Sequence, residues 1–211
     1  EAPRALFNTA VLWEKAGKPD RAIKLYKKVR KIARRTPFAA RSTFVLGALY
    51  EGRADFRAAA KYYGEMAKLP KIKQTPDALY NASVMNEALG SYRAAERIRR
   101  KYVKLYPARK DAVRAYFSIG KLLESQKKWR AAERFYLKFI RNKKLVRRQP
   151  TLAVAAWTRA GRTIRKSRLG KKKAGQRRAL SHFSRAIKAF HRQRLRAGGL
   201  ARLALLQGTG G

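Results

Sequence analysis

The 211-residue sequence contains no cysteine. That excludes disulfides, thiolate metal sites and cysteine nucleophiles, and it leaves the compartment open. Histidine is almost as scarce. His182 and His191 stand nine residues apart, without ligand spacing and with no acidic neighbour in sequence. Both read as packing or surface residues. Paired carboxylates, glycine-rich phosphate loops and nucleophile motifs are missing too. No catalytic residue, metal ligand or cofactor is therefore predicted, and the chain reads as a non-enzyme. It has no run of eighteen apolar residues, so no membrane-spanning helix is expected. The start, Glu1-Ala2-Pro3-Arg4, lacks a signal-peptide pattern and reads as a boundary within a longer chain. A soluble bacterial location, cytoplasmic or periplasmic, is the expectation.

Acidic residues are the other shortage: 12, against 54 Lys and Arg, a formal charge of +42. After Glu133 there is no acid, while 23 basic residues follow. A field this strong attracts polyanions and opposes compaction through self-repulsion. Apolar residues make up 45% of the chain, enough for a substantial core, and 14 Gly with 7 Pro do not suggest disorder.

What is abundant is self-similarity. Ala5-Leu6-Phe7-Asn8-Thr9-Ala10 aligns with Ser42-Thr43-Phe44-Val45-Leu46-Gly47. It aligns equally with Ala78-Leu79-Tyr80-Asn81-Ala82-Ser83 and Ala115-Tyr116-Phe117-Ser118-Ile119-Gly120. A small residue closes each copy, and Gly161 closes a fifth, with spacings of 37, 36, 37 and 41. Twelve residues later come Ala22, Ala59, Ala95 and Ala132, followed by Tyr26, Tyr63, Arg99 and Tyr136. In the fifth copy the counterparts are Ala179 and Phe183, after a longer connection. Apolar residues recur at three- and four-residue steps, which is helical periodicity. Proline-containing connectors punctuate the helices. Small residues let paired helices approach closely, and aromatics one turn away fill the gaps. One pair cannot bury its apolar face alone, but a stack can.

The pattern resembles the tetratricopeptide repeat (TPR) family. The fullest copy is Leu46-Gly47, Tyr50, Phe56, Ala59, Tyr63, Met66 and Pro70. Departures are the long period, Arg99 in an aromatic slot and the insertion in copy five. The resemblance implies an all-α, right-handed solenoid of five helix pairs, with repeats at about 3–37, 39–72, 76–108, 111–147 and 151–191. Segment 167–176 is expected as a basic loop, 195–206 as a capping helix, and the last residues as a Gly-rich tail. Stretches such as 77–82 and 116–120 are also similar to TPR proteins of Gram-negative envelopes and motility machines.

The resemblance further implies that first helices line a concave groove for a peptide or protein segment. By register the groove slots are Phe7, Phe44, Tyr80 and Phe117; then Val11, Ala48, Val84, Lys121 and Arg162; then Glu14, Glu51, Glu87, Glu124 and Arg165. The recurring glutamate lies in the last turn of a helix, where the macrodipole disfavours it. It has either an ion pair with a basic residue of an adjacent helix, the favoured reading, or a role as an acceptor for the ligand. The aromatic row is either packing or a set of platforms. The carboxylate clamp of some chaperone-binding TPR proteins is not matched, although Asn8 and Asn81 keep one of its positions.

Arginines near second-helix starts (Arg21, Arg57, Arg93, Arg130, Arg177 and Arg178) oppose the dipole, so helix stability does not account for them. Polyanion contact is assigned to Arg97, Arg99, Arg100 and Lys101; to Lys143, Lys144, Arg147 and Arg148; and to Lys171, Lys172 and Lys173. No base-reading motif accompanies them. Three readings follow. The first is a scaffold holding an acidic protein or peptide in its groove. The second is a nonspecific RNA- or DNA-binding module. The third is an engineered, supercharged scaffold whose charge has no native ligand.

Overall fold

The computed structural model describes residues 1–196, and they are all-helical. The chain divides into two compact units, Glu1–Tyr106 and Pro107–Gly211. The first contains α1 (Ala2–Lys15), α2 (Pro19–Ile32), α3 (Pro37–Gly52), α4 (Phe56–Glu65), α5 (Thr75–Ala88) and α6 (Tyr92–Leu105). The second contains α7 (Ala112–Ser125), α8 (Trp129–Arg141), α9 (Lys143–Arg148), α10 (Thr151–Lys166) and α11 (Lys173–Arg196). No described helix is long and apolar enough to cross a membrane.

The connectors start helices for identifiable reasons. Pro3, Pro19, Pro37 and Pro76 sit in first turns, where a missing N–H costs nothing. The Thr36 hydroxyl accepts from the Ala39 amide at 3.3 Å, and Asp55 accepts from the Ala58 amide at 3.0 Å. Each hairpin then turns through a left-handed residue at an equivalent place: Gly17 (φ 69°), Ala54 (φ 58°), Gly90 (φ 69°) and Lys127 (φ 56°). Glycine is the residue that adopts this geometry without strain, yet two copies carry a side chain there.

In the first unit consecutive helices pack as α1–α2, α3–α4 and α5–α6, with α2 on α3 and α4 on α5. First helices also neighbour one another, α1 with α3 and α3 with α5. Ala10, Ala22, Ile23, Tyr26 and Leu46 form one core cluster. Ala59, Tyr63, Met66, Ala78 and Met85 form the next. In the second unit α7 packs on α8, α8 on α10 and α10 on α11. Its core includes Phe117, Ile119, Leu122, Tyr136, Phe139 and Ile164.

Two local expectations change. The connector after α8 is itself helical, because Asn142 caps α9 by accepting from the Leu145 amide at 3.2 Å. The segment expected as a loop over 167–176 is a short 3-10 turn, Arg168–Lys171, followed directly by α11. Ser167 starts that turn by accepting from the Leu169 amide at 3.2 Å. From residue 197 onward, the expected capping helix and tail lie outside the described residues.

Candidate functional site

The helix pairs of copies one, two and four are closed by the same three-residue device. The small residue on the first helix faces the aromatic ring of the second. A Cβ on Gly47 would stand 2.7 Å from the Tyr63 ring, and one on Gly120 would stand 2.4 Å from Tyr136. The ring therefore lies where a side chain would be. Its hydroxyl reaches the glutamate one turn further along the first helix. Tyr26 donates to Glu14 at 2.9 Å, Tyr63 donates to Glu51 at 2.7 Å, and Tyr136 donates to Glu124. Burial, reinforced by the neighbouring carboxylate, pushes all three phenols above their ordinary pKa.

Copies three and five depart from this device in a consistent way. In copy three the second-helix position is Arg99, buried at 2% exposure. Its Nε donates to the Ser83 hydroxyl at 3.1 Å and its guanidinium pairs with Glu87 at 2.9 Å. Serine replaces the small apolar residue because the arginine needs an acceptor there. In copy five a Cβ on Gly161 would meet the Phe183 ring at 2.7 Å. Phenylalanine has no hydroxyl to donate, and the glutamate position there is Arg165.

The glutamate row thus has partners within the fold. Glu124 is held additionally by Arg159 of α10 at 3.1 Å. The aromatic row likewise packs against the second helices. Phe7 lies 5.5 Å from Tyr26, Phe44 5.7 Å from Tyr63, Tyr80 5.5 Å from Tyr102, and Phe117 5.4 Å from Tyr136. Phe117 is buried, and the other three are half-buried. Along the first-helix row of the first unit Ala48 and Asn8 are exposed, while Val11, Val84 and Asn81 are half-buried. In the second unit Lys121 and Arg165 are exposed and Arg162 is half-buried.

The cations assigned to polyanion contact separate by environment. Arg97, Lys101, Lys143, Lys144, Arg147, Lys171, Lys172 and Lys173 are exposed. Arg100 is exposed and paired with Glu96 at 2.8 Å. Arg99 is not a surface residue, and it leaves that set because its guanidinium replaces a tyrosine inside a helix pair. Arg148 is occupied as well. It donates to the carbonyls of Pro107 and Arg109, both at 2.9 Å, and so ties α9 to the segment before α7. Arg21 lies over the Trp13 ring at 4.5 Å, and Arg178 pairs with Glu133 at 2.7 Å.

His182 is buried against Trp157, with Nε2 3.2 Å from Glu133. Burial lowers its pKa below the ordinary 6.5, although Glu133 pulls the other way. Among the described residues no cluster of His, Asp and Glu could hold a metal ion. The first unit also has a cavity of about 240 Å³ walled by Leu69, Leu79, Leu105 and Tyr106, with Lys71 and Lys101 in its lining.

The glutamate and the tyrosine are each legible in the sequence, but their bond is not. The signal was present, since the two stand twelve residues apart in copies one, two and four. The left-handed turn residue also recurs at the repeat spacing. Ala54 and Lys127 hide it, because only Gly17 and Gly90 look like turn residues.

A tetratricopeptide repeat model matches residues 4–33. No curated protein sequence matches the chain. Among solved structures, the MamA protein superimposes with a TM-score of 0.61 at 18% identity, over 93% of this chain and 96% of that one. MamA from Desulfovibrio magneticus RS-1 gives 0.55 at 16% identity, over 90% and 96% of the two chains. YrrB, described as a TPR protein with an unusual peptide-binding site, gives 0.59 at 18%, over 90% of each. With one repeat matched in sequence and the stacked helix pairs matched in structure, the chain has the tetratricopeptide-repeat fold.

Proposed function

We propose that the chain is a non-catalytic scaffold whose first helices hold an extended peptide or protein segment, of acidic character, along α1, α3 and α5. One observation carries the reading. Val11, Ala48 and Val84 occupy the same slot on three neighbouring first helices and stay partly or fully open to solvent. The rings behind them are fixed against second-helix tyrosines. A peptide backbone can approach small, open positions, while rigid rings bound the pockets between them. The net charge of this unit, 24 basic against 9 acidic residues, favours an acidic ligand. The peptide-binding site named for YrrB is consistent with the same use of the fold.

Because Phe44 and Tyr80 also support the core, truncating them confounds binding with stability. Ala48→Glu and Val84→Glu are cleaner. Each places a repelling side chain in the slot; Ala48 is exposed, whereas Val84 is half-buried against the core, so Ala48→Glu is the variant that decides. Fluorescence anisotropy with a library of acidic peptides should show a loss of at least tenfold for either variant. Unchanged affinity, with the fold intact by circular dichroism, would sink the groove reading.

A further inference from the structure

The second unit has a charge problem that its own fold does not solve. Residues 107–211 contain 30 Lys and Arg but only three acids, Asp111, Glu124 and Glu133. All three are engaged: Asp111 with Arg109 at 3.3 Å, Glu124 with Arg159 at 3.1 Å, and Glu133 with Arg178 at 2.7 Å. No carboxylate remains among the described residues of this unit to neutralise the other cations.

Those cations gather at one edge. The turn before α8 brings Lys127 and Lys128, and the turn between α10 and α11 brings Arg168, Lys171, Lys172 and Lys173; all are exposed. The two turns are flanked by residues in contact: the Lys166 ammonium at the end of α10 sits 5.6 Å over the ring of Trp129, the first residue of α8. Local stability argues against these residues. Lys127 holds a left-handed backbone (φ 56°) where the equivalent residues of copies one and three are glycines. Lys128 stands at the N-cap of α8 with no capping bond, where Asp55 caps α4. A lysine in each place carries backbone strain or opposes the helix dipole.

We infer that this edge binds the phosphodiester backbone of nucleic acid. The choice among polyanions follows from what the edge lacks. The exposed large apolar side chains of the described structure are Leu12, Ile32, Leu89, Leu105, Leu180 and Ile187, and none lies in these turns. Stable membrane attachment needs apolar insertion or a lipid chain beside basic charge, and protein hot spots need buried anchors. An edge whose exposed side chains are ammonium and guanidinium groups, with Leu169 and Trp129 only half-exposed, matches a ligand recognised through regularly repeated charge. Binding is indifferent to sequence and independent of the groove.

The test compares two quintuple variants of the full chain with equal loss of charge. The edge set is Lys127→Gly, Lys128→Gln, Lys171→Gln, Lys172→Gln and Lys173→Gln. The control set neutralises exposed lysines of the first unit: Lys24→Gln, Lys28→Gln, Lys31→Gln, Lys61→Gln and Lys68→Gln. Binding of a labelled mixed-sequence 20-nucleotide single strand is followed by anisotropy from about 50 to 300 mM salt. The edge set is expected to lose at least tenfold at 100 mM salt and to flatten the logarithmic salt slope by about 2 to 3, near 0.7 for each phosphate no longer neutralised. The control set should lose less than threefold. Lys127→Gly alone should weaken binding while raising thermal stability, which a purely structural role for that lysine would not produce. Equal losses in both sets, no binding by the wild type at 100 mM salt, or preferential binding to phosphatidylserine vesicles would each overturn the inference. Acidic-peptide binding in the groove should be unchanged in the edge set, which separates this result from the fate of the groove proposal.

Discussion

At the scale of the residue, the repeat is a set of exchanges that make sense only in combination. Glycine at 47 and 120 exists for the tyrosine ring, and the ring's hydroxyl exists for the glutamate. Adding a methyl at Gly47 or Gly120 forces the ring to move and should cost about 1–3 kcal/mol in urea unfolding. Tyr63→Phe removes one part-buried hydrogen bond, an expected loss of about 1 kcal/mol, since half-exposed Glu51 can turn to water. Arg99→Tyr alone should be strongly destabilising, because Ser83 occupies the ring's space and Glu87 loses its partner cation. Combining it with Ser83→Gly rebuilds the device of the other copies and should recover much of the loss. A double-mutant cycle that came out additive would show that the two sites do not act together. At the turns, Ala54→Gly and Lys127→Gly each relieve a left-handed side-chain conformation and should stabilise by about 1 kcal/mol.

At the scale of the element, helix positions and most boundaries were legible because small residues, aromatics and prolines recur in register. Two elements were not. α9 is too short for periodicity to reveal it and depends on one cap, Asn142. The start of α11 was obscured by a run of lysines that looks like a loop. Its docking carries a pH dependence. Burial places the pKa of His182 below its ordinary 6.5, so native His182 is neutral where the unfolded chain already takes up a proton. The stability it contributes is fully present above pH 6.5. It is lost as pH falls below that value towards the native pKa. Glu133, Arg178 and Arg185 face the ring, and the two arginines oppose its protonation. The unfolding midpoint should therefore drop between pH 7.5 and 5.5. In His182→Asn that part of the drop should vanish; an unchanged pH profile would show that His182 is not responsible.

At the scale of the whole molecule, +42 on 211 residues is a destabilising load. Raising salt from about 20 to 500 mM screens it, since the Debye length falls well below 10 Å. Thermal stability should rise by several degrees over that range, whereas a protein held by its ion pairs would weaken. Calorimetry at a series of salt concentrations decides between the two. Nucleic-acid binding falls in the same interval, so stability and that binding should respond to salt in opposite directions.

The repeat, its period, the helix pairing and the asymmetry of charge follow from residue type and spacing along one chain. Residue type and spacing do not decide where charge is spent. Four glutamates at one register position read first as ion-pair partners of basic residues and second as ligand acceptors. The distances assign them to the helix pairs, with Tyr26, Tyr63 and Tyr136 as partners, and with cations at Glu87 (Arg99) and Glu124 (Arg159). Arg99 looked like one of several surface cations until burial removed it. Lys127 and Lys171 are 44 positions apart in the chain. The ends of α10 and α8 that carry these turns are brought together because α10 packs on α8, a relation that no local pattern encodes.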